Sequence, residues 1–123
     1  MRTSAEWLPA DPEVVRDFVH IADVARLCVL AATAPLPGYT VLNAGSGHAT
    51  RLCELVELAA RLSRRPLDVK WLGPRATTIR RTHACMSVAE HTLGFRPAVS
   101  LEEGLAGTLD WFLATGVAGR SAR

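Results

Sequence analysis

Arg16-Asp17-Phe18-Val19-His20-Ile21-Ala22-Asp23-Val24-Ala25 decides how the rest of the chain is read. An arginine and an aspartate precede a short apolar, partly β-branched run, Phe18 to Ile21, the pattern of a buried strand. Asp23 then stands where a helix N-cap belongs, because a carboxylate can accept from the first free backbone N–H groups. Val24, Leu27, Cys28 and Ala31 follow at i, i+3, i+4 and i+7, one apolar face of a helix. The stretch predicts strand, tight turn and helix, with one cation at the strand's start.

Downstream the same alternation repeats. Pro35-Leu36-Pro37-Gly38 is a stop and turn signal, and Tyr39 to Asn43 predicts a second strand, apolar on both faces and so inside a sheet. Gly45-Ser46-Gly47 makes a turn, and Thr50 is the expected N-cap of a helix. That helix should bury Leu52, Leu55, Val56, Ala59 and Leu62 and pair Glu57 with Arg61 on its outer face. Leu67 to Trp71 alternates as a half-buried strand does, and Gly73 to Arg81 is a loop rich in threonine and arginine. Ser87-Val88-Ala89-Glu90 and Ser100-Leu101-Glu102-Glu103 are capping-box patterns. The first predicts a short helix ending at Gly94; the second predicts a last helix turning Leu101, Leu105, Thr108 and Phe112 inward. Residues 1–14 read as an irregular lead-in and 116–123 as a flexible tail. The predicted class is α/β, with three short strands, four helices and at least one parallel pairing.

The 123 residues suffice for one domain with a real core. A net charge of +2, with arginines scattered and no aromatic-basic stripe, gives no reason to expect nucleic acid. Arg61, Arg64 and Arg65 read as a solvated helix end that favours the negative C-terminal dipole. No apolar run reaches the roughly 20 residues of a membrane span, and Met1 to Ala10 lack the apolar core of a signal peptide. Three cysteines fit reduced thiols better than a disulfide framework, so a cytoplasmic location is expected. Cys28 and Cys53 read as core packing.

Five pieces in this order resemble one family. They are the Arg16-Asp17-Phe18 stretch, Asn43-Ala44-Gly45-Ser46-Gly47, Gly73-Pro74-Arg75, Leu93-Gly94-Phe95-Arg96-Pro97, and Val99 to Leu105. Together they resemble the second half of the extended short-chain dehydrogenase/reductases, the NAD-dependent nucleotide-sugar epimerases, dehydratases and decarboxylases. The resemblance runs from about Val15 to about Phe112. It implies an incomplete fold, with residues 15–115 forming a C-terminal substrate-binding portion. In that family, arginines matching Arg16 and Arg75 approach the sugar nucleotide's phosphates, and the asparagine matching Asn43 can assist. A guanidinium suits the task because it is planar, always charged and rich in donors. Read without the resemblance, the two arginines are surface residues with local carboxylate partners, Asp17 being close to Arg16.

Other constellations carry less. Gly45-x-Gly47 lacks the third glycine of a dinucleotide fingerprint, since Thr50 stands in its place. No cofactor-binding residue is assigned. His83-Ala84-Cys85 has no second ligand group to complete a zinc site, and no metal is expected. The chain departs from the family where Thr77-Thr78 replaces glycine-aspartate and Cys85 replaces an aspartate that caps the next helix.

The family's chemistry uses a tyrosine with a lysine four residues on. This sequence has one tyrosine, Tyr39, and one lysine, Lys70, 31 positions apart. No catalytic residue is assigned. The resemblance therefore implies a portion that binds a nucleotide-diphosphate sugar weakly, with NAD belonging to the complete enzyme and supplied with a cofactor-binding partner chain. The alternative is a non-catalytic α/β association module or degenerate remnant that self-associates.

Overall fold

The computed structural model describes residues 6–8, 10–65, 69–73 and 79–115. The centre of the molecule is β2 (Val15–Asp17), flanked on both sides. It pairs antiparallel with β3 (Ala49–Arg51), Val15 opposite Arg51 and Asp17 opposite Ala49. On its other edge Val15 makes a parallel bridge to Arg81, its N–H donating to Arg80 O at 2.9 Å while its carbonyl accepts from Thr82 at 3.1 Å. A second parallel pair joins β1 (Glu6–Leu8) to β4 (Val69–Trp71).

The strand thus starts earlier than the apolar run predicts. Phe18 to His20 leave the ladder, and Ile21, 73% exposed, opens α1 (Ile21–Thr33). Ladder partners at 49–51 and 80–82 set the strand's place, and apolarity alone does not reveal them. His20, with extended backbone, is the N-cap of α1; its Nδ1 accepts from Ala22 N–H at 3.3 Å. Asp23 is therefore not the cap. It lies inside the helix, 2% exposed, and accepts from Ala98 and Val99 N–H and from Arg26. Leu27 is buried on the predicted face, whereas Cys28 is exposed rather than packed in the core.

The lead-in is more ordered than its composition predicts. Glu6–Leu8 form β1, Asp11 and Val14 are buried, and the carbonyls of Pro12 and Val14 accept the first N–H groups of α2 (Leu52–Ser63) from Cys53 and Leu52. Those donors have no partner within a helix, so the lead-in meets a need at the start of α2. Thr50 lies in β3, and Arg51 is the N-cap, its backbone and guanidinium both bonded to Glu54. Of the α2 apolar residues Leu58 is buried, and the expected stripe is half-buried. Arg61 reaches Glu102 at 3.5 Å instead of Glu57. The helix ends at Ser63, and Arg64 takes left-handed backbone (φ 53°).

Tyr39 to Asn43 forms no strand. Tyr39 is 94% and Val41 67% exposed, because no neighbouring strand among the described residues offers it a ladder. The helix α3 (Ser87–Leu93) starts one residue before the expected cap allows; Met86 is its N-cap and makes no side-chain cap bond. Gly94 closes it in left-handed backbone (φ 61°), as predicted. The second capping box forms at the start of α4 (Leu101–Thr115): Ser100 Oγ accepts from Glu103 N–H at 3.2 Å, and Glu103 accepts from Ser100 N–H at 3.0 Å. On α4, Gly104 is the buried residue, and Phe112 is 39% exposed. The core gathers Leu27, Ala89 and Phe95, with Leu30, Leu42, Met86 and Leu93 against it.

The class is α/β with four helices, as read from the sequence, and its strands are four triplets among the described residues. The predicted tail 116–123, together with Leu67 and Asp68, lies outside the described residues. No helix among those residues is long and apolar enough to cross a membrane.

Candidate functional site

Asp17 ends β2 facing the Gly45–Gly47 turn. Its Oδ1 accepts from both the backbone N–H and the hydroxyl of Ser46, each at 2.6 Å. Its Oδ2 accepts from Gly47 N–H at 3.0 Å and from Ala84 N–H at 3.1 Å. Successive N–H groups of a turn form a natural anion cradle. Here the anion is the protein's own carboxylate. Burial pushes the Asp17 carboxyl up, but the Ser46, Ala84 and Gly47 donors outweigh it and hold it below the usual carboxylate range.

The approach is close enough to demand glycine. A Cβ on Gly45 would stand 2.3 Å from Ala84 Cβ and 2.7 Å from Asp17 Oδ2. His83 Nε2 meets Gly47 O at 2.9 Å, tying the same turn to the segment beyond the arginine-rich loop. Three stretches far apart in sequence therefore meet at one carboxylate.

Arg16 stands next to this knot, half-buried. Its Nη1 donates to Val15 O at 2.8 Å. The Arg16–Asp17 ion pair suggested by reading the arginines without the resemblance does not form among the described residues, since successive strand side chains point to opposite faces. Asn43 is exposed and its Nδ2 donates to Cys85 O at 3.0 Å, so its amide donor serves the backbone. Asn43 and Asp17 bond the 84–85 segment, whereas among the described residues Arg16 bonds only Val15 O and is not brought together with Asn43. Arg75 lies outside the described residues. Asp17 was missed as an organising group. The available signal was an aspartate beside a strand arginine, in a chain with one Gly-x-Gly turn, Gly45-Ser46-Gly47.

A groove of about 750 Å³ borders the turn, walled by Phe18, Ser46, His48, Thr50, Glu90 and Arg96 among others. Arg16 and Asn43 stand outside it. The histidines are engaged locally: His48 at Ser46 O, His91 at Ser87 O, His20 at Ala22 N–H. Cys85 Sγ lies 3.2 Å from Ser87 Oγ; that hydroxyl and the Ser87 N–H draw the thiol below its usual range. Among the described residues no three histidine, cysteine or acidic side chains gather as metal ligands do.

The dinucleotide reading of the turn can be tested on the same geometry. A pyrophosphate would need the N–H groups of Ser46 and Gly47. Both are spent on Asp17, so the turn does not fit that group.

Comparison with known proteins follows the geometry. No family model matches the chain. It is 32% identical over 102 residues to the UDP-glucuronate 4-epimerase of Thermodesulfobacterium geofontis, covering 82% of this chain and 31% of that protein. It is 32% identical over 109 residues to the UDP-glucose 4-epimerase of Rhizobium leguminosarum bv. trifolii, covering 87% of this chain and 33% of that one. Among solved structures, MoeE5 in complex with UDP-glucuronic acid and NAD superposes with a TM-score of 0.84 at 32% identity, over 90% of this chain and 37% of MoeE5. The chain spans about a third of the length of the curated relatives it matches.

Proposed function

This chain belongs to the extended short-chain dehydrogenase/reductases, the NAD-dependent nucleotide-sugar epimerases and dehydratases, over a stretch about a third of their length, and from that premise we propose that it is their substrate-binding portion. In this reading residues 15–115 hold the diphosphate of a nucleotide sugar, with Arg16 as the principal cation, Arg75 as the second and Asn43 assisting. One observation carries it. Among the described residues the Arg16 guanidinium pairs with no carboxylate and bonds only Val15 O, so its remaining N–H donors are available to an external anion.

Affinity follows from magnitudes. One charge-assisted hydrogen bond nets roughly 1.5–3 kcal/mol, so two arginines contribute about 3–6 kcal/mol before ordering costs. Millimolar binding needs about 4 kcal/mol. The chain alone binds a UDP-sugar at millimolar strength or more weakly. Chemical-shift titration with UDP-glucose tests this: the expected result is millimolar binding that Arg16→Ala weakens. Unchanged binding by Arg16→Ala, or low-micromolar affinity, rejects the reading.

The chain does not itself move protons or hydride. Its one tyrosine and one lysine are 31 positions apart, and its glycine turn holds a carboxylate. NAD, which MoeE5 binds, would come with a cofactor-binding portion. The three free thiols agree with a reducing, cytoplasmic setting.

A second reading, an association module, draws on one surface. The apolar flank of α1 and residues 36–44 form a groove of about 580 Å³ that includes Cys28, Ala31, Leu36, Tyr39 and Leu42. Beside it Val29 is 62% and Val41 67% exposed, an amount of bare apolar surface that usually finds a partner. A cofactor-binding portion covering this face reconciles the two readings. Sedimentation of the chain alone separates them: self-association through this face favours the module, and a strict monomer removes it.

A further inference from the structure

We infer that Asp17 is the positioning residue of the phosphate site, acting on the substrate only through Arg16. The inference rests on the proposed role of Arg16 and extends it to a residue that cannot itself bind an anion.

Arg16 and Asp17 are adjacent on a three-residue strand, so whatever anchors Asp17 anchors the backbone that carries the arginine. Asp17 Oδ1 accepts twice from Ser46, and Oδ2 bridges Gly47 and Ala84. One oxygen thus holds the turn, and the other joins the turn to the segment leading out of the arginine-rich loop. The ladder places Arg16 opposite Thr50 on one edge, and its neighbour Val15 bridges to Arg81 on the other. The carboxylate locks the third direction, toward the turn.

Side chains of successive strand residues point to opposite faces. The Asp17 oxygens are committed to four donors on the turn side, while among the described residues the Arg16 guanidinium bonds only Val15 O. Small residues make the commitment possible. Gly45 has no Cβ to intrude, and Ala84 closes in on it from the other side.

Asparagine at 17 would break this anchoring. Its amide nitrogen would face an N–H donor at Ser46 or at Gly47 and Ala84, so the turn must shift. Misplacement by about 1 Å is enough to cost a large factor in a positioned contact.

The test is a double-mutant cycle on the 123-residue chain with UDP-glucose as probe. Initial slopes of backbone chemical-shift changes give the affinities of wild type, Asp17→Asn, Arg16→Ala and the double variant, with thermal melts alongside. Arg16→Ala should weaken binding about tenfold or more. Asp17→Asn should weaken it roughly fivefold or more, and the double variant should bind no worse than Arg16→Ala alone. Ser46→Ala, which removes one donor and no charge, serves if Asp17→Asn fails to fold; it should give a smaller loss that also vanishes in the Arg16→Ala background. Losses that multiply in the double variant, or a folded Asp17→Asn (or Ser46→Ala) with wild-type affinity, overturn the positioning role. If Arg16→Ala itself changes nothing, the phosphate role of Arg16 falls first, and the positioning role with it.

Discussion

Asp17 and Asp23 are six residues apart, and each collects distant backbone N–H groups onto one carboxylate. Their settings differ. Asp23 is 2% exposed and joins α1 to Ala98 and Val99, with Arg26 as its ion partner and Arg26 in turn stacked 4.5 Å over Phe95. Asp17 is half-buried and joins two loops to β2; among the described residues neither it nor the neighbouring Arg16 has an ion partner. The same chemistry therefore serves two ends. One carboxylate with its own cation closes the core, and the other, without one, leaves a cation at the surface. A buried carboxylate is costly to remove because the N–H groups it serves lose their acceptor. A half-buried carboxylate held by N–H donors couples loops at lower stake.

The largest expected effect separates the two. Asp23→Ala leaves the Ala98 and Val99 N–H groups without their acceptor and should cost about 2–4 kcal/mol, a large part of the stability of a chain this size, while Arg26, 42% exposed, stays solvated. A cost under about 1 kcal/mol would mean that Asp23 is no keystone. Gly45→Ala comes next. Its Cβ must displace Ala84 or the Asp17 carboxylate, so a loss of about 1–3 kcal/mol in denaturant melts is expected. A neutral result would contradict the close approach.

Acid sharpens the comparison further. Burial raises both carboxyls, but the donors around them win and both sit below the usual value. A depressed folded pKa contributes stability that is present above the unfolded value, about 3.9, and is lost as pH falls through the folded one. Stability should therefore drop below about pH 4, and Asp17→Asn should flatten part of that drop. An acid limb identical in the variant would show that Asp17 titrates unperturbed. The smallest change in stability is expected at Arg16. Val15 O keeps its bond from Thr82 when the guanidinium is removed, so Arg16→Ala should stay within about 0.5 kcal/mol of wild type. A larger loss would make Arg16 a structural residue.

What could be read from the sequence was what neighbours in sequence determine. Ser100 and Glu103 cap α4 three residues apart, and Gly94 ends α3 by its own backbone freedom. The α/β class and the four helices followed from periodicity. What could not be read depends on partners far along the chain. Asp23 looks like a cap because its true partners, Ala98 and Val99, are 75 and 76 positions away. The strand at Val15 is set by Thr50 and Arg80–Thr82, not by the apolar run after it. Tyr39 to Asn43 has a strand's pattern but no ladder among the described residues. At the candidate site, Arg16 was nominated from its motif, while the four-donor hold on Asp17 required knowing where Ser46, Gly47 and Ala84 lie.

The account assigns to these residues a grip on phosphate and none of the groups that move a proton or hydride. The direct measurement is turnover: the purified 123-residue chain, free of other polypeptides, incubated with UDP-glucose and NAD and assayed for the 4-epimer. The account predicts no conversion above buffer. Interconversion by the chain alone would contradict it.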